Sequence, residues 1–169
     1  MRRLPIPFEV ISPRFEETPT SLSAEEECLF FAEQKALSVK DECPDSLVLG
    51  CDTLIECDGV KLGKPADCEE AVTILEKLSG RSHRVLSAVV LLDTKTGLRK
   101  SHLEIGQVVF RRLSRKEIED YVATGEPMGK AGAYAVQGLA RRLLIERVEG
   151  EEEAIIGLPL NVLRKWLVS

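Results

Sequence analysis

Two long β-rich stretches, Arg84–Asp93 and Leu98–Arg111, are separated only by the turn Lys95-Thr96-Gly97, and they constrain this chain more than any other feature. So short a connection sends the second stretch back along the first, which makes them an antiparallel pair. A pair of that length needs helices or further strands over its apolar faces. The composition can supply them, with 44 % hydrophobic and 30 % charged residues in 169. A chain this apolar offsets the entropy of ordering its backbone, which excludes disorder. Its apolar runs, such as Ala88–Leu92, fall far short of the roughly 20 residues that a membrane span requires.

The remaining elements follow from local signals. Phe8–Ile11 predicts a short strand. Ser23-Ala24-Glu25-Glu26 is a capping box and opens a helix to about Val39. Ser46–Cys51 is a continuous apolar run, as in a strand buried on both faces. Thr53–Leu62 predicts a hairpin turning at Asp58-Gly59. Asp67 caps a second helix with Ala71, Ile74, Leu75 and Leu78 on one face, ended by Gly80. Ser114-Arg115-Lys116-Glu117 is another capping box, with its helix stopping at Gly125. Arg142–Val148 predicts a strand, and Pro159 starts a terminal helix over Leu160–Leu167. Strands and helices mix without strict alternation. The expected fold class is therefore α/β, a mixed sheet flanked by helices, in a single domain over residues 1–169.

Charge and cysteines narrow the function. Lys and Arg total 23 against 28 Asp and Glu, a net charge of −5, which argues against a surface built to coat nucleic acid. A small anion needs only a local cluster of cations and remains open. Five cysteines without a CxxC favour reduced thiols over a disulfide framework or zinc knot. Met1-Arg2-Arg3-Leu4 runs directly into Pro5 and Pro7, unlike a secretory signal, so a cytoplasmic protein is expected.

Four places carry residues suited to chemistry. Lys35 sits on the apolar stripe of Cys28, Phe31, Ala32 and Val39; its ammonium either snorkels to water or enters a cleft to meet an anion. Asp52-Thr53 directly follows the buried run, at a strand end where an aspartate can hold a metal, activate water or merely cap a turn. Lys64 stands between Gly63 and Pro65 in a loop that can fix an ammonium near a phosphate, although it is not a Walker loop. Gly129–Gly138 combines small residues with Lys130 and Gln137. It is either a turn around Tyr134 or a loop that lets backbone approach a ligand while the amide of Gln137 reads a base edge. Together these groups suit a nucleoside phosphate with a divalent cation. A separate reading makes Cys51 a nucleophile with His83 or His102 as its base.

The order of motifs resembles the Maf family of house-cleaning nucleotide pyrophosphatases. The matching landmarks are Pro7-Phe8-Glu9-Val10, Phe15-Glu16-Glu17, Ala32-Glu33-Gln34-Lys35-Ala36, Cys51-Asp52-Thr53 and Gly63-Lys64-Pro65, then Leu78–His83, Lys130–Gly138 and Gly157-Leu158-Pro159-Leu160. The resemblance implies an inosine-triphosphatase-like fold, often dimeric. It also implies hydrolysis of a nucleoside triphosphate to the monophosphate and pyrophosphate with Mg²⁺ or another divalent cation. Asp52 would be the catalytic residue and, with Glu17, the metal ligand. Lys35 and Lys64 would bind phosphate-side groups and Lys130 would also bind substrate, while Thr53 and Gln137 would recognise the pyrimidine of dTTP or UTP. Against the family pattern, this chain opens just before the Pro-Phe-x-Val strand. The resemblance therefore implies a fold lacking the first strand and its Ser-x-Ser-Pro-Arg-Arg loop. Arg2-Arg3 lie too close to Phe8 to be that pair, and Ser12-Pro13-Arg14 follows the strand. The alternative expectation is a weakly active or inactive remnant that binds a nucleotide or a partner.

Overall fold

The computed structural model describes residues 6–168. Its eleven α and β elements run α1 (Ala24–Leu37), β1 (Leu47–Cys57), β2 (Val60–Leu62), α2 (Cys68–Leu78), β3 (Ser82–Asp93), β4 (Arg99–Phe110), α3 (Arg115–Val122), α4 (Ala140–Leu143), β5 (Ile145–Glu149), α5 (Glu152–Ile155) and α6 (Leu160–Val168). The strands form one sheet in the order β2-β1-β3-β4-β5, flanked by helices, so the α/β class holds. All four described ladders are antiparallel, which narrows the expected mixed pairing to one kind. The β1–β2 and β3–β4 neighbours are joined by tight turns, which permit no parallel crossover. The long pair is β3 and β4, registered from Ser82 opposite Val109 to Leu92 opposite Arg99.

Local signals set the starts of α1, α2 and α3. Ser23 and Ser114 each complete a reciprocal capping box, with Glu26 and Glu117 respectively. Asp67 accepts the Glu70 amide at 2.8 Å and starts α2. Ala71, Ile74, Leu75 and Leu78 are buried, and Gly80 closes the helix at φ +68°. The turn between β1 and β2 falls at Asp58-Gly59, both at positive φ, as a tight hairpin requires.

The sheet divides the interior in two. On one face α1 packs Ala24, Cys28 and Ala32 against Leu54, Leu86, Ala88 and Val90. Its approach is close because Gly50 has no side chain; a Cβ there would lie 2.1 Å from the Ala32 carbonyl oxygen. The opposite face carries the larger core, in which α2, α3 and the segment around Tyr134 cover Ile55, Val85, Val108 and Phe110.

Three expectations are corrected. Residues 8–11 form no strand: no ladder engages them, and Val10 is 74 % exposed. β1 is a single long strand rather than a short one ending at Cys51, because β3 pairs with it from Leu47 through Glu56. Its burial alternates along its length instead of being complete on both faces. Arg142 and Leu143 belong to α4, leaving β5 to start at Ile145. The reading of residues 1–5 as unlike a secretory signal lies outside the described residues. Among the described residues, no helix is long and apolar enough to cross a membrane.

Candidate functional site

Strand alternation places Gly50, Asp52 and Leu54 toward α1, and Cys51, Thr53 and Ile55 toward the opposite layer. β2 pairs only with Ile55–Cys57, so no strand covers the outer edge of β1 beside Asp52 and Thr53 among the described residues. A cavity of about 460 Å³ opens at that edge, lined by side chains from both layers. Among its walls are Lys35, Asp52, Thr53, Lys64, Lys130 and Gln137. Asp52 thus lies in the middle of a strand, not at its carboxyl end as expected. The early end of β2 leaves the strand edge beside Asp52 open.

Lys35 enters the cleft instead of snorkelling. Its Nζ lies 2.5 Å from Asp52 Oδ1 and 2.6 Å from Glu17 Oε1. Lys64 approaches the other oxygen of Glu17 at 3.1 Å, so the four charges form a chain. Glu17 reaches this position because Phe15, two residues earlier, packs on Phe31 and Phe30 of α1 with ring centroids 5.6 and 6.2 Å apart. Glu17 is not itself a wall of the cavity.

Burial dominates at Asp52. The residue is only 7 % exposed, and desolvation raises its carboxyl above the ordinary value despite the opposing Lys35 bond. Burial also pushes Glu17 up, but its two lysines together prevail and hold it below the usual carboxylate range. For Lys35, desolvation favours proton loss and the two carboxylates outweigh it, so the ammonium is held more firmly than in water. The site therefore keeps its central cation while one of the adjoining carboxylates becomes more basic.

The segment from Gly129 to Gly138 forms the opposite wall. The Gly132 amide donates to the Gly63 carbonyl at 3.0 Å, tying this loop to the one that carries Lys64. Gly132 sits at φ +67°, and a Cβ would press on Ile55 at 3.0 Å, so both conformation and space call for glycine. Tyr134 is buried between His83 and Phe110, its hydroxyl 2.7 Å from His83 Nε2. Lys130 lines the cavity while its Nζ donates to the Glu126 carbonyl at 2.5 Å.

Sequence reasoning missed Glu126. Its carboxylate accepts from the Tyr121 hydroxyl at 2.9 Å and the Leu139 amide at 2.9 Å, with the Ala140 amide at 3.3 Å. These bonds close the loop on either side of Gln137. The only local hint was an acid just before Pro127 and the glycine-rich run.

Other candidates are not part of the cluster. Arg14 pairs with Glu42 at 3.0 Å and does not line the cavity. Burial pushes the Cys51 thiol up to about 12, the opposite of what a nucleophile needs. His83 and His102 bond Tyr134 and Glu104, not Cys51, so that reading is withdrawn. All five cysteines are free.

Among the described residues, no three His, Cys, Asp or Glu side chains gather as a metal cage. Asp52 and Glu17 nevertheless converge on one cation, the Lys35 ammonium, through hard oxygen donors. Mg²⁺ is commonly held by one or two carboxylates together with substrate phosphates, so this donor set fits such an ion.

Comparison with known proteins adds an independent line. The family model described as Maf-like protein matches residues 1–169. A protein from Bacillus velezensis named dTTP/UTP pyrophosphatase is 44 % identical over 159 residues, covering 93 % of this chain and 82 % of its own length. A protein of the same name from Pelotomaculum thermopropionicum is 41 % identical over 168 residues, covering 99 % of this chain and 87 % of its own length.

Proposed function

Because the chain belongs to the Maf-like protein family, we propose that it hydrolyses a nucleoside triphosphate, dTTP or UTP, to the monophosphate and pyrophosphate. The observation that carries this reading is the convergence of Asp52, Lys35 and Lys64 on one cavity that Thr53 and Gln137 also line. Its volume of about 460 Å³ falls within the usual range for small-molecule sites.

The chemistry divides along the cavity. Asp52, made more basic by burial, takes a proton from the water that attacks the α-phosphorus. The α–β bridging bond breaks and pyrophosphate departs with its electron pair. Lys35 and Lys64 stabilise negative charge on the triphosphate, since phosphoryl transfer depends mainly on positioning and electrostatics. On binding, the phosphates compete with Glu17 for both ammonium groups, which frees that carboxylate for a cation. Asp52 and Glu17 would hold a divalent ion such as Mg²⁺, which supplies Lewis-acid polarisation of phosphate oxygens when bound. Lys130 adds a donor on the opposite wall, and Thr53 with the amide of Gln137 addresses the pyrimidine edge.

Free cysteines suit a reducing, cytoplasmic setting. We take residues 1–169 to act as a single domain on free nucleotides, with neither nucleic acid nor membrane as partner, and to pair as a homodimer on the strength of the family resemblance.

Pyrophosphate release from dTTP and UTP tests the assignment. Asp52→Asn is expected to lose at least about 100-fold in rate with its unfolding transition preserved. Near wild-type turnover by Asp52→Asn would overturn the mechanism. A wild-type chain that binds UTP without releasing pyrophosphate would return the protein to a binding role.

A further inference from the structure

Ser87 is a polar residue in the middle of an apolar strand, 1 % exposed, and it does not line the cavity. In the β1–β3 register it stands directly opposite Thr53. Its Oγ lies 2.6 Å from the Ala154 carbonyl oxygen and 3.3 Å from Thr53 Oγ1. A serine hydroxyl has one hydrogen, and a carbonyl oxygen can only accept. At 2.6 Å the hydrogen must lie between Ser87 and Ala154, since two oxygens that close without it would repel. Ser87 has then nothing left to donate, so at the remaining contact Thr53 is the donor.

Thr53 in turn spends its only hydrogen on Ser87 and meets the cavity with lone pairs alone. Gly157 leaves room around that oxygen: it adopts φ +114°, and a Cβ would lie 3.1 Å from Thr53 Oγ1. We propose that Ser87 is a positioning residue that fixes the Thr53 hydroxyl as an obligate hydrogen-bond acceptor, so that the site selects a pyrimidine ring presenting an N–H and rejects one presenting a bare ring nitrogen. Uracil and thymine carry hydrogen on N3, whereas cytosine N3 is an acceptor and would face the Thr53 lone pairs. This inference rests on the pyrophosphatase reading and extends it from the substrate's charge to the hydrogen pattern of its base. The Gln137 amide, able to donate and accept, can serve either ring and so discriminates less.

The test is the ratio of kcat/KM for UTP to that for CTP. Ser87→Ala frees the Thr53 hydroxyl to turn its hydrogen into the cavity, while Ala154 keeps an amide donor from Gly157 at 2.7 Å. The ratio is expected to fall roughly 10- to 100-fold, mainly through a gain on CTP. Ser87→Thr, which keeps the hydroxyl, should retain the wild-type ratio. A merely structural role would slow both substrates alike and leave the ratio intact. Thr53→Val should also lower the ratio, and adding Ser87→Ala to it should change nothing further, because Ser87 acts through that one oxygen. If Ser87→Ala does not fold, Ser87→Cys replaces it, since sulfur is a weak acceptor and frees the Thr53 hydrogen in the same way. An unchanged ratio in a folded Ser87→Ala or Ser87→Cys protein overturns the proposal while leaving the hydrolase reading in place. Absence of turnover in the wild type overturns the hydrolase reading itself.

Discussion

Replacing Lys35 with methionine removes the cation shared by Asp52 and Glu17 and keeps an apolar stem of similar length. Breaking one partner out of a buried pair costs about 3–5 kcal/mol, because the remaining charge is stranded. Asp52 is 7 % exposed and the Lys35 side chain 17 %, so the pair is largely desolvated, although the cavity lets some water in. The lower end, about 3 kcal/mol, is therefore expected, which for a domain of this size lowers Tm by about 6–12 °C. The deficit depends on pH in a defined direction. It is full where Asp52 and Glu17 are both ionised and shrinks as pH falls and they take up protons. Lys35→Met/Asp52→Asn leaves no stranded buried carboxylate and should recover more than half of the loss. Urea unfolding of wild type, both single variants and the double variant at pH 7, repeated at pH 4.5, measures the coupling. A Lys35→Met deficit below about 0.5 kcal/mol, or a double variant no better than the single, would refute the buried-pair account.

Asp52→Asn alone should cost less stability at neutral pH than Lys35→Met, because Lys35 keeps Glu17 at 2.6 Å. Burial raises the folded carboxyl, so its ionised form works against folding as pH climbs past the unfolded value; chemical denaturation at pH 7 checks this. His83 is depressed by burial to about 4, from 6.5. Its neutral ring favours the fold fully above the unfolded value, and stability should fall by about 3 kcal/mol as pH drops from 6.5 to 4; in His83→Gln, urea titrations across that window should show a shallower slope. Gly138→Ala would place a Cβ 2.2 Å from Glu126 Oε1. The carboxylate has to swing aside and give up its donors, so the expected outcome is a KM for UTP raised roughly 10-fold together with a lowered Tm, read from steady-state kinetics and thermal unfolding.

What was legible in the sequence was local. Ser23, Asp67 and Ser114 lie within three residues of the amides they cap, and the β3–β4 hairpin follows from a turn too short for any other connection. Lys35 stood out because a charge on an apolar helix stripe needs a partner, and the structure supplies Asp52 and Glu17. The course of β1 through Asp52 was not legible, since it depends on β3 lying alongside with matching length. Nor was Ser87, which sits in a run of apolar residues and gains meaning only from Thr53 opposite and Ala154 behind it. Glu126 was hidden for the same reason: its three donors come from both sides of a loop that has to close before they meet.

The alternation of a β-strand explains why so short a motif as Asp52-Thr53 can organise the whole cavity. Neighbouring side chains leave a strand on opposite faces, so the carboxylate turns to α1 and its lysine while the hydroxyl turns to β3, α5 and the 129–138 loop. Side chains of the two layers meet at this edge because β2 stops at Leu62, opposite Ile55. On the proposed function, the charged end of a nucleotide belongs to the α1 side and its flat base to the other. Moving the Asp-Thr pair by one residue would exchange the two sides. Neither side chain would then meet its partners, even though composition and helix signals would be unchanged.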